Sequence, residues 1–274
     1  MAKPVLTNAA KPATYDVEAY NERGEMVPTA VAGEHPLTIY LDKREIVTLM
    51  TLGHAPEALV IGYLRNQRLV DSIADIASVQ VDWETDSTAV TTLRKKNIDL
   101  EKKTVTSGCG QGTMFGNLME EVDQIQLRKD VRLEDTNLFA LIEKVRKHET
   151  IYKQAGAVHG CALCTTAGEI LMFVEDVGRH NAVDAIAGFM WLDAIDGSDK
   201  VFYTTGRLTS EMVIKCAQMR IPFLVSRSGL THMGHQIAKK VGITMLGRAS
   251  GRHYLAFTGQ ERLIRSSPQP TALA

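Results

Sequence analysis

A single cysteine, Cys109, lies in a glycine-rich stretch that has no aliphatic run to bury it. The segment TVTSGCGQGTMFGN places Gly108 and Gly110 on either side of this cysteine, with Gly112 close behind. A thiol in an exposed loop is prone to oxidation, so its presence there favours a chemical role. The thiolate is the reactive form, and a mobile loop can carry it between a donor site and an acceptor site.

Arginines follow four predicted strands at the point where each strand ends, and most of them stand beside a glycine. They are Arg179, Arg207, Arg227 and Arg248. Ligands of open α/β sheets bind at the carboxyl ends of the strands. Glycine lets a ligand approach the backbone, and arginine offers a planar fork for phosphate. The four strand ends together favour a site for a phosphate-rich nucleotide or cofactor, although for any single arginine a polar loop that binds nothing is the better explanation.

His159, Cys161 and Cys164 stand close together and suggest a zinc site, but their spacing argues against one. The segment is predicted to be a strand, in which His159 and Cys161 share one face while Cys164 points to the other. A zinc deaminase would also need a glutamate two residues after its histidine, where this chain has Cys161. We therefore expect buried, apolar cysteines here and at Cys216, which lies in an amphipathic helix. A zinc-dependent hydrolase of the deaminase fold stays as an alternative.

The first part of the chain predicts an arm followed by a small α+β module. Residues 1–33 have no sustained hydrophobic period, and we expect a partly mobile arm with room for one edge strand. Residues 34–104 predict a hairpin, a helix that begins at Pro56, and a further strand pair. Residues 105–130 are predicted to form the glycine-rich loop with Cys109 and a connector to the next domain.

Residues 131–274 predict an α/β domain, because strands and helices alternate along them. Helices are expected from residue 135, around 183–190, from Ser210 and from His232, and the first two have a clear apolar stripe. Short apolar strands come between these helices. The alternation indicates a layered domain with a mostly parallel sheet and helices on its faces, so the whole chain is predicted to be α/β, or α+β overall.

Composition and charge exclude several classes of protein. The 274 residues carry 31 basic and 32 acidic side chains, so no global field recruits nucleic acid or an anionic membrane. The first residues lack the apolar core of a signal peptide, and no segment is apolar enough to span a bilayer. We expect a cytoplasmic protein without nucleic-acid or membrane partners, whose four cysteines are thiols.

The chain resembles the formate dehydrogenase accessory sulfurtransferases, the FdhD family, over nearly all of its length beyond residue 33. The segments that carry the resemblance are EHPLTIYLDKREIV (34–47), TSGCG (106–110), GAVHGCAL (156–163), EDVGRHNAVDAIAG (175–188), TTGRLTSEMVIKCA (204–217), IPFLVSRSGLT (221–231) and GITMLGRASGR (242–252). The EDVGRHNAVD and SRS motifs are too specific for chance similarity.

The resemblance implies a cytoplasmic homodimer whose C-terminal domain has a cytidine-deaminase-like α/β fold without the deaminase zinc site. Such proteins take sulfur from a cysteine desulfurase as a persulfide and deliver it to the molybdenum bis-guanine-dinucleotide cofactor. The second protein partner that the resemblance implies is apo formate dehydrogenase. By position, Cys109 matches the persulfide cysteine of the family.

The resemblance also implies which residues bind the cofactor, while no structural metal is expected. The matching segment is Arg248, Ala249, Ser250, Gly251, Arg252 and His253. Residues of the other strand ends are further candidates for the same site: Arg179, His180, Arg207, Ser226, Arg227 and Ser228.

One departure from the family pattern affects the chemistry. Many members have Cys-x-x-Cys in the loop, whereas Gly112 stands at the fourth position here, so a local disulfide cannot form. Either Cys109 carries the sulfur alone and the acceptor attacks it directly, or the role of this chain has diverged. The main competing hypothesis is a chaperone that binds the cofactor and transfers no sulfur.

Overall fold

The computed structural model describes residues 3–93, 104–105, 112–113, 124–148 and 150–266. The chain forms two compact units that are interleaved along the sequence. Unit 1 comprises residues 1–124, 149–161 and 173–195, and unit 2 comprises residues 125–148, 162–172 and 196–274. The domain bounds expected from the sequence stay a prediction.

The strands and helices of the described residues make the protein a mixed α/β structure. The strands in the first half are β1 (Val5–Leu6), β2 (Thr14–Tyr20), β3 (Met26–Ala32), β4 (His35–Leu41), β5 (Arg44–Thr51), β6 (Ile76–Asp82), β7 (Ser87–Thr92), β8 (Thr104–Val105) and β9 (Gly112–Thr113). Those of the second half are β10 (Leu133–Glu134), β11 (His159–Thr165), β12 (Ile170–Asp176), β13 (Lys200–Thr204), β14 (Phe223–Ser226), β15 (Thr244–Ser250), β16 (His253–Thr258) and β17 (Leu263–Ile264). The helices are α1 (Pro56–Asn66), α2 (Asp135–His148), α3 (Ile151–Ala155), α4 (Arg179–Leu192), α5 (Ser210–Gln218) and α6 (His232–Val241).

Unit 1 is built on a five-stranded sheet of order β1-β6-β7-β4-β5. The predicted hairpin is confirmed, since β4 and β5 pair antiparallel with Ile39 opposite Val47. Asp42 and Lys43 form its turn with φ angles of 48° and 73°, the left-handed values that a two-residue hairpin turn requires. The second predicted strand pair, β6 and β7, is antiparallel as well.

The N-terminal residues form more structure than the sequence predicted. Strand β1 is the expected edge strand, because it pairs in parallel with β6. Beyond it, β2 and β3 form an antiparallel hairpin that runs from Thr14 opposite Ala32 to Tyr20 opposite Met26. Nearly all side chains of this hairpin are exposed or half-exposed. A strand pair held mainly by backbone hydrogen bonds imposes little hydrophobic pattern, which explains why the sequence did not predict this hairpin.

Helices α1 and α4 cross at unusually short distance within unit 1. A Cβ atom on Gly62 would lie 1.6 Å from the carbonyl oxygen of Asp184, and one on Gly188 would lie 1.9 Å from that of Ala58. Glycines on both helices therefore allow the backbones to touch. A buried hydrogen bond of 2.6 Å from Asn66 Nδ2 to Asp184 Oδ1 joins the same two helices.

A six-stranded sheet has the order β12-β11-β13-β14-β15-β16. The expectation of a mostly parallel sheet is confirmed at its centre, where β13, β14 and β15 are parallel neighbours. Strand β16 is antiparallel to β15. The residues from 248 to 250 were expected in a loop, but they continue β15, with register shifts near Gly247 that let the strand carry on past its regular part.

Helix α6 shows how local signals fix the element bounds in unit 2. Thr231 precedes the helix, and its Oγ1 accepts a hydrogen bond of 3.2 Å from the backbone N–H of Gly234. Gly242 ends the helix with φ 76°, a left-handed value that glycine adopts without strain. The caps bound the helix that the sequence predicted from His232. Within the described part of the chain, no helix combines the length and the apolar character that crossing a membrane requires.

Candidate functional site

Three neighbouring parallel strands of unit 2 end at one edge of the sheet, which brings their loops together. Val201 lies opposite Phe223 and Thr204 opposite Ser226, so β13 and β14 end level with each other. Strand β15 runs in the same direction on the other side of β14. The loops that follow Thr204 and Ser226, and the distal part of β15, form the edge at which the sequence predicted a ligand.

The hydroxyl of Ser226 links these loops by hydrogen bonds. Its Oγ donates a hydrogen bond of 2.7 Å to the carbonyl oxygen of Gly206 and accepts one of 2.9 Å from the backbone N–H of Ser228. The backbone N–H of Arg248 then donates to the carbonyl oxygen of Ser228 at 2.9 Å. Because Ser226 is fully buried, its hydroxyl serves these protein contacts. No sequence pattern predicts this network. The hydrogen bonds fix the backbone positions from which the neighbouring arginine side chains extend.

Arginine side chains project from each of the tied segments. Arg207, Arg227 and Arg248 are all exposed. Arg248 has φ 53°, a left-handed value that a non-glycine residue adopts only where its surroundings hold it. In the part of unit 2 that the structure describes, neither Arg207 nor Arg248 lies within ion-pair distance of a carboxylate. The edge thus presents cationic forks suited to phosphate groups.

The turn between β15 and β16 completes the predicted segment from Arg248 to His253. Ala249 is buried, whereas Gly251, Arg252 and His253 are exposed. The guanidinium carbon of Arg252 lies 5.6 Å from the ring centre of Phe139, a cation–π contact that restricts the arginine. The structure therefore places this segment beside the loops of β13 and β14, through the backbone bond to Arg248.

Arg179 and His180 belong to unit 1, where they form the first turn of α4. Both side chains are buried, with 7% and 3% of their surface exposed. Arg179 and His180 thus differ from the strand-end arginines of unit 2, whose side chains are exposed to solvent. A role for either residue in cofactor binding stays a prediction.

Asp176 anchors the turn that leads into α4. Its Oδ2 accepts hydrogen bonds from Thr51 Oγ1 at 2.6 Å and from the backbone N–H of Leu52 at 3.2 Å. Its Oδ1 accepts from the N–H of Gly178 at 3.1 Å and from Asn181 Nδ2 at 2.8 Å. Burial raises the pKa of this carboxyl, and the four hydrogen bonds act in the opposite direction. Asp176 thus holds the turn against β5.

Glu175, next to Asp176, caps a helix. Its carboxylate accepts hydrogen bonds from the backbone N–H groups of Thr150, Ile151 and Tyr152, at 2.9 to 3.1 Å. These groups form the N-terminus of α3, where a carboxylate is favoured by the unpaired N–H groups and by the helix dipole. The acidic pair of the EDVGRHN motif therefore organises unit 1.

The four cysteines differ in how the structure treats them. Cys109 lies outside the described residues. Cys161, Cys164 and Cys216 are fully buried free thiols, which confirms the expectation for these three. Burial raises the pKa of the Cys164 thiol to about 12. Among the residues that the structure describes, no three histidine, cysteine or acidic side chains are placed to hold a metal ion, so the zinc hydrolase hypothesis has no ligand set there.

Native thiol titration should separate Cys109 from the other cysteines. A water-soluble aromatic disulfide reagent at pH 8 should modify at most one thiol per folded chain, at Cys109, and four in denaturant. The buried thiols react slowly because the reagent cannot reach them, and because the high pKa of Cys164 leaves almost no thiolate. Rapid labelling of Cys161, Cys164 or Cys216 in the folded chain, located by peptide mass spectrometry, would contradict this.

A family model and several relatives match the chain over most of its length. The FdhD/NarQ family model matches residues 32–264. Similar proteins named sulfur carrier protein FdhD occur in Listeria monocytogenes, with 31% identity over 86% of this chain and 92% of that protein, and in Sulfurisphaera tokodaii, with 31% identity over 89% and 95%. A relative from Bacillus subtilis carries the same name and is 28% identical over 92% of this chain and 97% of its own length.

A solved structure is similar to this chain as well. The crystal structure of a candidate formate dehydrogenase accessory protein from Desulfotalea psychrophila superposes on it with a TM-score of 0.73 at 26% sequence identity. The match covers 92% of this chain and 98% of the crystallised chain. Since the family model spans both units and the strand-end loops, the chain belongs to the FdhD/NarQ family.

Proposed function

We propose that this protein is a sulfur carrier that matures formate dehydrogenase by supplying sulfur to its molybdenum cofactor. Membership of the FdhD/NarQ family and the names of the relatives support this function. The observation that carries the proposal is the cluster of exposed arginines on loops that Ser226 holds together. A bis-guanine dinucleotide contains two pyrophosphate groups, and arginine forks suit both.

The molybdenum bis-guanine-dinucleotide is the substrate of this carrier. Arg207, Arg227, Arg248 and Arg252 are proposed to bind its pyrophosphates, with the turn at Gly251 giving the ligand access to the backbone. Ser226 acts as a positioning residue, since its buried hydroxyl fixes the loops that bear two of these arginines.

Cys109 is proposed to receive the sulfur from a cysteine desulfurase. Its thiolate attacks the terminal sulfur of the desulfurase persulfide, the S–S bond of the desulfurase breaks, and the desulfurase cysteine leaves as a thiolate. The product is a persulfide on Cys109. Because Gly112 replaces the second cysteine of many relatives, the loop cannot release this sulfur by forming its own disulfide. The two electrons needed to release sulfide come from a thiol outside the loop, or else the acceptor takes the sulfur directly.

The remaining parts of the proposal follow from the family. Residues 131–274 provide a cytidine-deaminase-like α/β fold that binds nucleotide without zinc, and the protein acts as a homodimer. A persulfide carrier requires a reducing compartment, so we place it in the cytoplasm, where it meets the desulfurase and apo formate dehydrogenase.

The experiment that tests the proposal is peptide mass spectrometry after incubation with a cysteine desulfurase and cysteine. We expect one or more added sulfur atoms on the Cys109 peptide, removable by reductant. The buried Cys161, Cys164 and Cys216 serve as internal controls and should gain none. An unmodified Cys109, with a desulfurase that loads a control acceptor, would reject the carrier and leave a cofactor-binding chaperone.

A further inference from the structure

A cleft lies in unit 2 at the edge of the parallel strands opposite the strand-end arginines. It has a volume of about 580 Å³, within the usual range for small-molecule sites. Strand β15 begins there at Thr244 and β16 ends there at Thr258, whereas Arg248 stands near the other end of β15. The cleft is therefore separate from the strand-end arginines and shares no residue with them.

One face of helix α6 forms a wall of this cleft. His235, Ala238 and Lys239 line it from one helical face, because the second and third lie three and four residues after the first, and Gly242 lines it just beyond the end of the helix. His235 Nε2 lies 3.2 Å from the carbonyl oxygen of Phe257 and must donate to it, because a carbonyl only accepts. This bond ties the helix to β16 and leaves the exposed Lys239 at the mouth of the cleft.

Arg262 is a buried cation in the same cleft. Only 4% of its surface is exposed, and burial lowers its pKa. Its guanidinium donates to the carbonyl oxygens of Gly242 at 2.5 Å and Arg128 at 2.8 Å, and lies 3.4 Å from Thr244 Oγ1. These three bonds use at most three of its five N–H groups. Within the described residues, no carboxylate lies within ion-pair distance of it, although buried charges are normally paired.

The charges around the cleft do not cancel. Lys129, Lys239 and Arg262 line it, and the lining contains one carboxylate, that of Glu261. Beyond the lining, Asp130 and Arg132 act on Arg262 with opposite signs. The C-terminus of α6 contributes roughly half a negative charge, which Arg262 already contacts through the carbonyl group of Gly242. Net positive charge therefore remains, on two exposed lysines above one buried guanidinium.

We propose that this cleft binds a small molecule that carries a phosphate or diphosphate group with at least two negative charges. Lys129 and Lys239 hold the phosphate from the rim, and Arg262 supplies its remaining N–H groups from within. The site goes beyond sulfur transfer, since it involves neither Cys109 nor the strand-end arginines.

Inorganic pyrophosphate is the probe, and methyl resonances of the full-length protein report where it binds. Ile243 and Ala238 line the cleft, whereas Ala249 lies in the strand-end segment. We expect saturable shifts of the Ile243 and Ala238 methyl signals that chloride at equal ionic strength does not reproduce. Saturable shifts of Ala249 alone would overturn the proposal, because pyrophosphate would then bind only at the strand ends. Equal shifts with chloride would overturn it too.

Paired lysine variants test which side chains bind the probe. Lys129→Gln combined with Lys239→Gln should weaken the pyrophosphate affinity, measured at Ile243, about tenfold or more, because two charged contacts are lost. The matched control, Lys43→Gln with Lys147→Gln, removes two exposed charges elsewhere and should leave the affinity unchanged. Unchanged affinity in the cleft variant would overturn the assignment. Sulfur loading of Cys109 is a separate measurement, so failure here leaves the proposed function standing.

Discussion

Replacing Gly188 with alanine should destabilise the protein by about 3 kcal/mol or more, at the upper end of the cost of overpacking. The new Cβ would lie 1.9 Å from the carbonyl oxygen of Ala58 and 3.0 Å from its Cα, both backbone atoms of α1. A backbone cannot turn aside as a long side chain can, so α1 and α4 must separate. The separation strains the buried hydrogen bond between Asn66 and Asp184. Urea unfolding followed by circular dichroism measures the loss of free energy.

The direction of this effect distinguishes packing from helix propensity. Alanine is favoured over glycine within a helix by about 1 kcal/mol, so propensity alone predicts that Gly188→Ala stabilises α4. The matched control is Gly229→Ala, because a Cβ there meets nothing within 4 Å and its φ is not left-handed. We expect that control to change the unfolding free energy by less than about 0.5 kcal/mol. Unfolding of Gly188→Ala at the wild-type urea concentration would contradict the close crossing.

Local signals predicted most elements outside the N-terminal residues. Pro56 begins α1, as its fixed φ favours at a first helical position. Thr231 and Gly242 bound α6 because their caps depend only on neighbouring backbone groups. Such elements are predictable because the interactions that fix them lie within a few residues of each other in the chain.

Helix α4 shows what such signals miss. The sequence predicted one apolar stripe through Val183, Ile186, Ala187 and Met190, but most of the helix is buried, including Asn181 and Asp184. These polar residues are satisfied by partners far away in the sequence, such as Asn66 and the carbonyl oxygen of Met50. Hydrophobic periodicity contains no information about such partners. A prediction from periodicity therefore places a buried polar side chain on the exposed face of the helix.

The candidate site was predictable to the level of its sheet edge. A general rule for α/β sheets placed Arg207, Arg227 and Arg248 after the carboxyl ends of neighbouring strands. Arg207 and Arg227 do follow β13 and β14, whereas Arg248 lies within the distal part of β15. No such rule predicts the role of the Ser226 hydroxyl, because its hydrogen bonds with Gly206 and Ser228 depend on how adjacent loops fold. Sequence thus indicated the charges that a ligand would meet, and the structure added the group that holds them in place.

Cys109→Ala should abolish the maturation of formate dehydrogenase while leaving the nucleotide site intact. Without the thiol no persulfide forms, so formate dehydrogenase activity in cells whose own copy of the protein is deleted should fall at least about 100-fold, as expected when a nucleophile is removed. Binding of guanosine diphosphate, which stands for half of the dinucleotide cofactor, should match that of the wild-type protein. The matched control is Cys164→Ala, which removes a buried thiol whose pKa of about 12 keeps it protonated.

Arg248→Ala and Arg252→Ala should give the reverse result. Each removes a cationic fork from the exposed edge, so the affinity for guanosine diphosphate should fall about tenfold while desulfurase still loads Cys109 with sulfur. A carrier needs both capacities, whereas a chaperone that only presents the cofactor needs the arginines alone. Full formate dehydrogenase activity with Cys109→Ala, together with impaired activity of the arginine variants, would therefore reject sulfur transfer and establish the chaperone. Loss of activity in both sets, with nucleotide binding lost only in the arginine variants, is the pattern that a sulfur carrier requires.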